Sequence, residues 1–445
     1  MQETTVVVGE IETLDPAVGR TNAMLIEGGV VIAHGEDALT HTADRRVESD
    51  GTVVPGLVDA HNHFALAGQV DLFEFEQPPT ASLDELLAAL RDHAATRPAD
   101  AWIVGGSWGS GLLGELSTLQ TLARLDDAVG GRPAMLRDDS KHNRWASSEA
   151  LRRAGITSTS ADPPGGEVLR TDGRPNGVLL EAAGIAVEHA LEHDEPASAE
   201  RLAGSAERAI EMLHAHGITA FQDAASSLQL LHALKALDDA GRLRAWVVTS
   251  MLANDFIFGS APLGEGIIVD REVTASRHHR PDFIKIFLDG VPPSRTGAFL
   301  EPYLPDACGH VTSGEPTMSA DELLGWMRSA AERGIGAKVH CTGDRSVRMV
   351  LDAAEELVAS GLRAPWHVAH GQFVADDDIP RFAELGVVAE ISPALWFPGV
   401  IPDAIATVLP ADRAGRMQPN RSLLDAGATL IGGSDWPVAV TPNLW

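Results

Sequence analysis

Eight short apolar runs recur between residues 56 and 434, with helical stretches between most of them. The runs cover 56–63, 218–223, 244–249, 283–288, 336–341, 366–370, 387–392 and 429–434. Segments 199–216, 320–333, 347–360 and 376–385 carry apolar residues at helical spacing. Alternating strand and helix predicts an α/β fold with a parallel sheet, and eight such units describe a (β/α)8 TIM-like barrel. A barrel of this kind places its active site at the C-terminal ends of the strands.

Five of the eight runs end near a side chain able to bind metal. Val58-Asp59-Ala60-His61-Asn62-His63 carries two histidines two apart, so both imidazoles point to one side of a strand. Alone the pair is weak, because exposed strands also carry it. His340 closes Ala337-Lys338-Val339, and His370 closes His367-Val368-Ala369, one βα unit later. Either histidine by itself would read as a hydrogen-bonded core residue, but two in phase at successive strand ends point to a metal. Asp435 follows Ile431-Gly432-Gly433-Ser434, where it could ligate an ion and also accept a proton from water.

In Phe283-Ile284-Lys285-Ile286-Phe287 a lysine shares a strand face with two phenylalanines. An unpaired buried ammonium costs several kcal/mol, so something must relieve Lys285. It could snorkel to solvent, pair with Asp289, or react with carbon dioxide to give a carbamate that bridges two cations. All three remain open on sequence grounds.

Outside the barrel two regions differ in texture. Residues 4–54 hold β-branched runs broken by glycine, read as hairpins of a small sheet in which no helix is needed. The expected organisation is a small β-sandwich domain at 1–54 and a hydrolase barrel at 55–445. About 150 residues separate the first two barrel runs, far too many for a loop, so a cap insertion is expected over 65–215. Within it, 82–96 and 119–125 read as helices and 102–105 and 133–136 as strands.

Composition narrows the partners. Sixty-three acidic residues against 34 basic ones give a net charge of -29, which argues against nucleic acid and anionic membrane surfaces as partners. Two cysteines, Cys308 and Cys341, provide no disulfide framework, and the N-terminus lacks a signal-peptide pattern. No apolar run reaches the length of a membrane helix, so a soluble cytoplasmic protein is expected.

The set Pro55-Gly56-Leu57-Val58-Asp59-Ala60-His61-Asn62-His63, Lys285, His340, His370 and Ser434-Asp435 resembles the metal-dependent amidohydrolase superfamily. The stretches 142–145, 164–166, 173–181, 285–290, 294–296, 340–344, 370–372 and 434–437 are similar to the branch that includes N-substituted formamide deformylases. The resemblance implies two divalent ions, expected to be zinc, and carbamylated Lys285 (N6-carboxylysine) as their bridge. His61, His63 and Asp435 would hold the more buried ion, and His340 and His370 the other. It further implies hydrolysis of a linear amide, N-formyl or N-acyl C–N bond of a small molecule by a hydroxide between the ions, with Asp435 passing the proton to the departing nitrogen.

Ester or lactone hydrolysis by the same site, or metal binding without turnover, are the alternatives. A homodimer is compatible with either. Family members continue beyond the eighth strand to complete the sandwich, whereas this sequence ends at Trp445, so an incomplete sandwich is expected.

The resemblance also suggests His142 and Trp145 as substrate contacts in the cap. Arg295, beyond the fourth strand, could bind a substrate carboxylate or carbonyl, and Trp108 and Trp396 could line an apolar pocket. Tyr303 has no assigned role. Cys341 should point to the opposite strand face from His340 and is not expected to act as a nucleophile.

Overall fold

Parallel strands covered by helices read as largely apolar runs, and all eight predicted runs form strands. The structure is a computed structural model and describes residues 3–306, 308–395, 399–439 and 441–442. The barrel strands are Leu57–Asn62, Ile218–Ser226, Trp246–Leu252, His279–Phe287, Gly336–Cys341, Trp366–His370, Val388–Ile391 and Leu430–Gly432. They lie side by side in chain order in one sheet, which is nearly closed. From the second barrel strand to the eighth, neighbours pair in parallel, with Phe287 opposite His340 and Cys341 opposite His370, so the candidate ligands reach the same rim.

At that rim the eighth strand returns to the first. The Asp435 N–H donates to the His61 carbonyl at 2.8 Å, and the Ser434 N–H donates to Asp59 Oδ1 at 2.9 Å. Gly433 makes the approach feasible: a Cβ there would sit 2.4 Å from His61 Cβ and 2.6 Å from its backbone nitrogen.

Outward-facing strand residues Ile284, Ile286, Val339, Val368 and Cys341 are buried with Leu323, Val347 and Leu351 of the surrounding helices. Each such aliphatic side chain contributes roughly 1.5–3 kcal/mol on burial. Helix Ala320–Glu332 begins with a capping box between Ser319 and Glu322, and Asp344–Ala359 follows the fifth strand. Cys341 faces this outer core, away from the His340 side, as expected.

Two compact units divide the chain, residues Met1–Val58 with Gly217–Thr219, and Asp59–His216 with Ala220–Trp445. The first contains one four-stranded sheet, Thr4–Glu12, Arg20–Glu27, Val30–His34 and Arg45–Val53, where a sandwich is expected. A short helix, Gly35–Thr40, overturns the helix-free expectation. It buries Ala38 against Val6, Ala23 and Leu25, and six residues are too few to register as a periodic pattern.

The insertion after the first barrel strand folds around a six-stranded mixed sheet. Its strands are Phe75–Glu76, Ile103–Trp108, Ala134–Asp138, Arg144–Ala146, Gly166–Thr171 and Arg174–Glu181. Helices Leu83–Ala95 and Leu119–Ala128 pack on it, close to the predicted bounds. Among the described residues no helix is long and apolar enough to cross a membrane.

Candidate metal centre

At the rim, Asp435 Oδ1 stands 3.4 Å from His61 Nε2 and 3.6 Å from His63 Nε2. Its other oxygen is 4.0 Å from His370 Nδ1. The ring centroids of His61 and His370 are 4.8 Å apart, and those of His340 and His370 5.0 Å. One ligand atom from each of His61, His370 and Asp435 falls within 4.8 Å of the others. This tight triple mixes the two groups of the expected division, since His370 sits with His61. His370 and Asp435 also adopt left-handed backbone conformations, φ +74° and +54°. For non-glycine residues this costs of order 1–3 kcal/mol each and is concentrated at functional sites.

The imidazoles are oriented from behind. His61 Nδ1 meets Glu390, His340 Nδ1 lies 3.2 Å from Asp289 Oδ1, and His370 Nδ1 lies 3.2 Å from Ser392 Oγ. A proton held on Nδ1 leaves the Nε2 lone pair for an ion. His61 Nε2 is buried without a hydrogen-bond partner, as a ligand nitrogen without its ion would be. Burial drives His61 down to about 3 and holds His63 and His370 well below the usual imidazole range, with His340 lowered for the same reason. All four are therefore neutral at pH 7, the state that binds metal. Burial pushes the Asp435 carboxyl up to about 7, against the opposing pull of the Lys285 ammonium.

Two lysines face the barrel interior in register, Lys285 opposite Lys338. Lys338 is paired: its ammonium donates to Glu390 and, at 2.9 Å, to the Ala60 carbonyl. Lys285 is 1% exposed, lies 4.6 Å above the Phe287 ring, and has no hydrogen bond among the described residues. Burial, followed by the nearby Lys338 charge, lowers it to about 8. Snorkelling is ruled out by that burial. The expected alternative of an Asp289 ion pair is also overturned, because Asp289 is taken by His340 and the backbone N–H groups of Ala298, Thr342 and Gly343. These residues suit divalent ions: neutral imidazoles, one carboxylate, and an amine free to become a carbamate.

The cap adds His142, whose ring centroid is 5.1 Å from that of His340. Its Nδ1 is 2.6 Å from Glu181 Oε2, and that pairing raises it despite burial. Glu181 is buried and accepts from Thr296 Oγ1 at 2.5 Å and from the Val291 N–H at 3.2 Å. A cavity of about 30 Å³ is lined by His142, His340, His370, Asp435, Gln372 and Pro293 among others.

Two expected substrate contacts lie elsewhere. Trp145 is fully buried in the cap core with Leu136 and Val178, and Trp108 is in the same core with its indole N–H on the Leu136 carbonyl at 3.1 Å. Both are packing residues, since apolar spacing alone cannot separate a cap core from a pocket wall. Arg295 donates to the Leu304 carbonyl, packs 5.9 Å from Tyr303, and lines a separate cleft of about 870 Å³. Tyr303 donates to the Gly297 carbonyl at 2.7 Å. Trp396 lies outside the described residues.

Sequence reasoning missed Asp59, Glu181, Lys338 and Glu390, and gave Asp289 only as a partner for Lys285. The signal for two of them was the one used for Lys285, a charge inside an apolar run: Ala337-Lys338-Val339 and Val388-Ala389-Glu390-Ile391.

The sequence profile of the amidohydrolase family matches residues 49–445. The chain belongs to the amidohydrolase family. It is accordingly a hydrolase acting on carbon–nitrogen bonds. Among relatives of this amidohydrolase, N-substituted formamide deformylase of Arthrobacter pascens is 28% identical over 98% of this chain and 81% of that protein. Uncharacterised metal-dependent hydrolases of Pyrococcus horikoshii and Pyrococcus furiosus share its fold. Their TM-scores are 0.71 and 0.68 at 21% and 22% identity, over 99% of this chain and 84% and 86% of theirs.

Proposed function

We propose that this amidohydrolase is a binuclear metal enzyme that cleaves a linear amide with a small acyl group, an N-formyl or short N-acyl amine. The observation that carries the reading is the convergence of five side chains able to bind metal on the rim while buried Lys285 has no acceptor among the described residues. His61, His63, His340, His370 and Asp435 would share two divalent ions, with Lys285 joining them as its carbamate. Zinc suits this nitrogen and oxygen set. Such ions acidify a bound water and polarise a carbonyl.

The protein's own groups do the rest. Asp435, close to neutrality in its proton affinity, takes a proton from the attacking water and delivers it to the departing nitrogen. His142, held by Glu181, lines the cavity from the cap side and is placed to donate a hydrogen bond to the substrate. The 30 Å³ cavity favours a formyl-sized acyl group. Pro293 is a shared wall with the 870 Å³ cleft, which is lined in part by Leu112, Leu113 and Val408 and suits an apolar amine substituent. The formamide-cleaving relative supports the same substrate class.

Turnover of a panel of N-formyl, N-acetyl and longer N-acyl amines by zinc-loaded protein tests this reading. Activity should be greatest for formyl and fall with acyl length. Hydrolysis of esters and no amide in the panel would overturn it.

A further inference from the structure

We infer that Glu390 is a positioning residue of the metal centre, fixing His61 through its carboxylate with Lys338 as the buried counter-charge. The inference rests on the metal reading proposed above.

Glu390 lies on the seventh barrel strand and is 1% exposed. One carboxylate oxygen meets His61 Nδ1, and the other meets the Lys338 ammonium and lies 3.2 Å from His367 Nδ1. Lys338 reaches across to the Ala60 carbonyl at 2.9 Å, one residue before His61. A single buried carboxylate thus joins side chains from the first, fifth and sixth strands beneath the metal-binding rim. An apolar cluster of equal volume could be as stable as such a buried ion pair, so stability gives no reason to keep it. Orientation does. A carboxylate accepting from Nδ1 holds the proton there, and Nε2 then presents its lone pair toward Asp435, 3.4 Å away. That Nε2 is the imidazole nitrogen left buried and unpartnered among the described residues. Lys338 keeps Glu390 ionised and its oxygens stationary.

Zinc affinity of the full-length protein, measured by chelator competition, separates orientation from packing. Glu390→Asp keeps the charge that neutralises Lys338 but is one methylene too short to reach His61, and should weaken zinc binding about 10–100-fold. Glu390→Gln combined with Lys338→Met removes both charges yet retains an amide oxygen for His61 Nδ1, and should bind zinc close to wild type. A role in packing alone would lower the melting temperature of metal-free Glu390→Asp and leave its zinc affinity unchanged, which would overturn the inference, as would a double variant that binds zinc as weakly as Glu390→Asp. Should Glu390→Asp fail to fold, a zinc-bound crystal structure of the wild type decides. Zinc on His61 Nε2 with Nδ1 on Glu390 supports the inference, and zinc on Nδ1 or away from His61 overturns it. Absence of zinc binding in the wild type itself would instead refute the underlying metal reading.

Discussion

The backbone N–H of Asp435 donates to the carbonyl of His61 at 2.8 Å, so a proposed ligand just past the last barrel strand is tied to one on the first. That contact needs the bare backbone of Gly433. Gly433→Ala would drive a methyl into His61, and overpacking of this kind costs about 1–3 kcal/mol or more. The variant should show a lower melting temperature and weaker zinc affinity together. Unchanged values for both would mean the strands can part without harm.

Two divalent ions per chain are expected after gentle purification, and prolonged dialysis against a chelator should remove activity that added zinc restores. Elemental analysis checks the stoichiometry. A value near zero in protein never exposed to chelator would count against the centre.

Lys285→Ala should lose metal and activity, with partial recovery on adding short carboxylic acids that replace the carbamate. In the metal-loaded wild type, electron density should extend beyond Lys285 Nζ. Full activity of the variant without added acid would remove the bridging role.

Asp435→Asn keeps an oxygen donor and loses the base. It should retain much of its metal while turnover falls about 10²–10⁴-fold, the usual contribution of general acid–base catalysis. Near wild-type turnover with both ions bound would assign the proton transfer to another group. His370→Ala should instead lose metal in proportion to activity.

Protons released on zinc binding report which ligand is protonated beforehand. His61, at about 3, and the strongly lowered His63 and His370 have none to release at pH 6, whereas Asp435, raised to about 7, is mostly protonated there. Calorimetry of the first zinc equivalent at pH 6 in two carbon-dioxide-depleted buffers should give about one proton per ion bound, and the affinity for that ion should rise with pH up to about 7 and then level. Three or four protons would mean the imidazoles are charged before binding.

The barrel was legible because its strands are largely apolar runs separated by helical segments, and the candidate ligands were legible because they stand near the ends of those runs. Glu390 and Lys338 were not read as partners because their contacts, 52 residues apart and 329 residues back to His61, exist only once the barrel curls round. Trp108 and Trp145 were misread for a related reason: the cap has a core of its own, and an aromatic in a short strand looks the same whether it faces that core or a ligand. The helix at Gly35–Thr40 was too brief to show a period.

Glu181 joins His142 to the loop after the fourth barrel strand, Asn143 reaches Ser294 at 2.9 Å, and Arg144 reaches the Ile257 carbonyl at 2.6 Å. Swinging the insertion away as a rigid door would break these hydrogen bonds, at a cost of about 1.5–3 kcal/mol for each one made by a charged group. Traffic to and from the reaction chamber is therefore expected to pass around a fixed roof, by rearrangement of nearby loops, with turnover insensitive to crosslinks that pin roof to barrel.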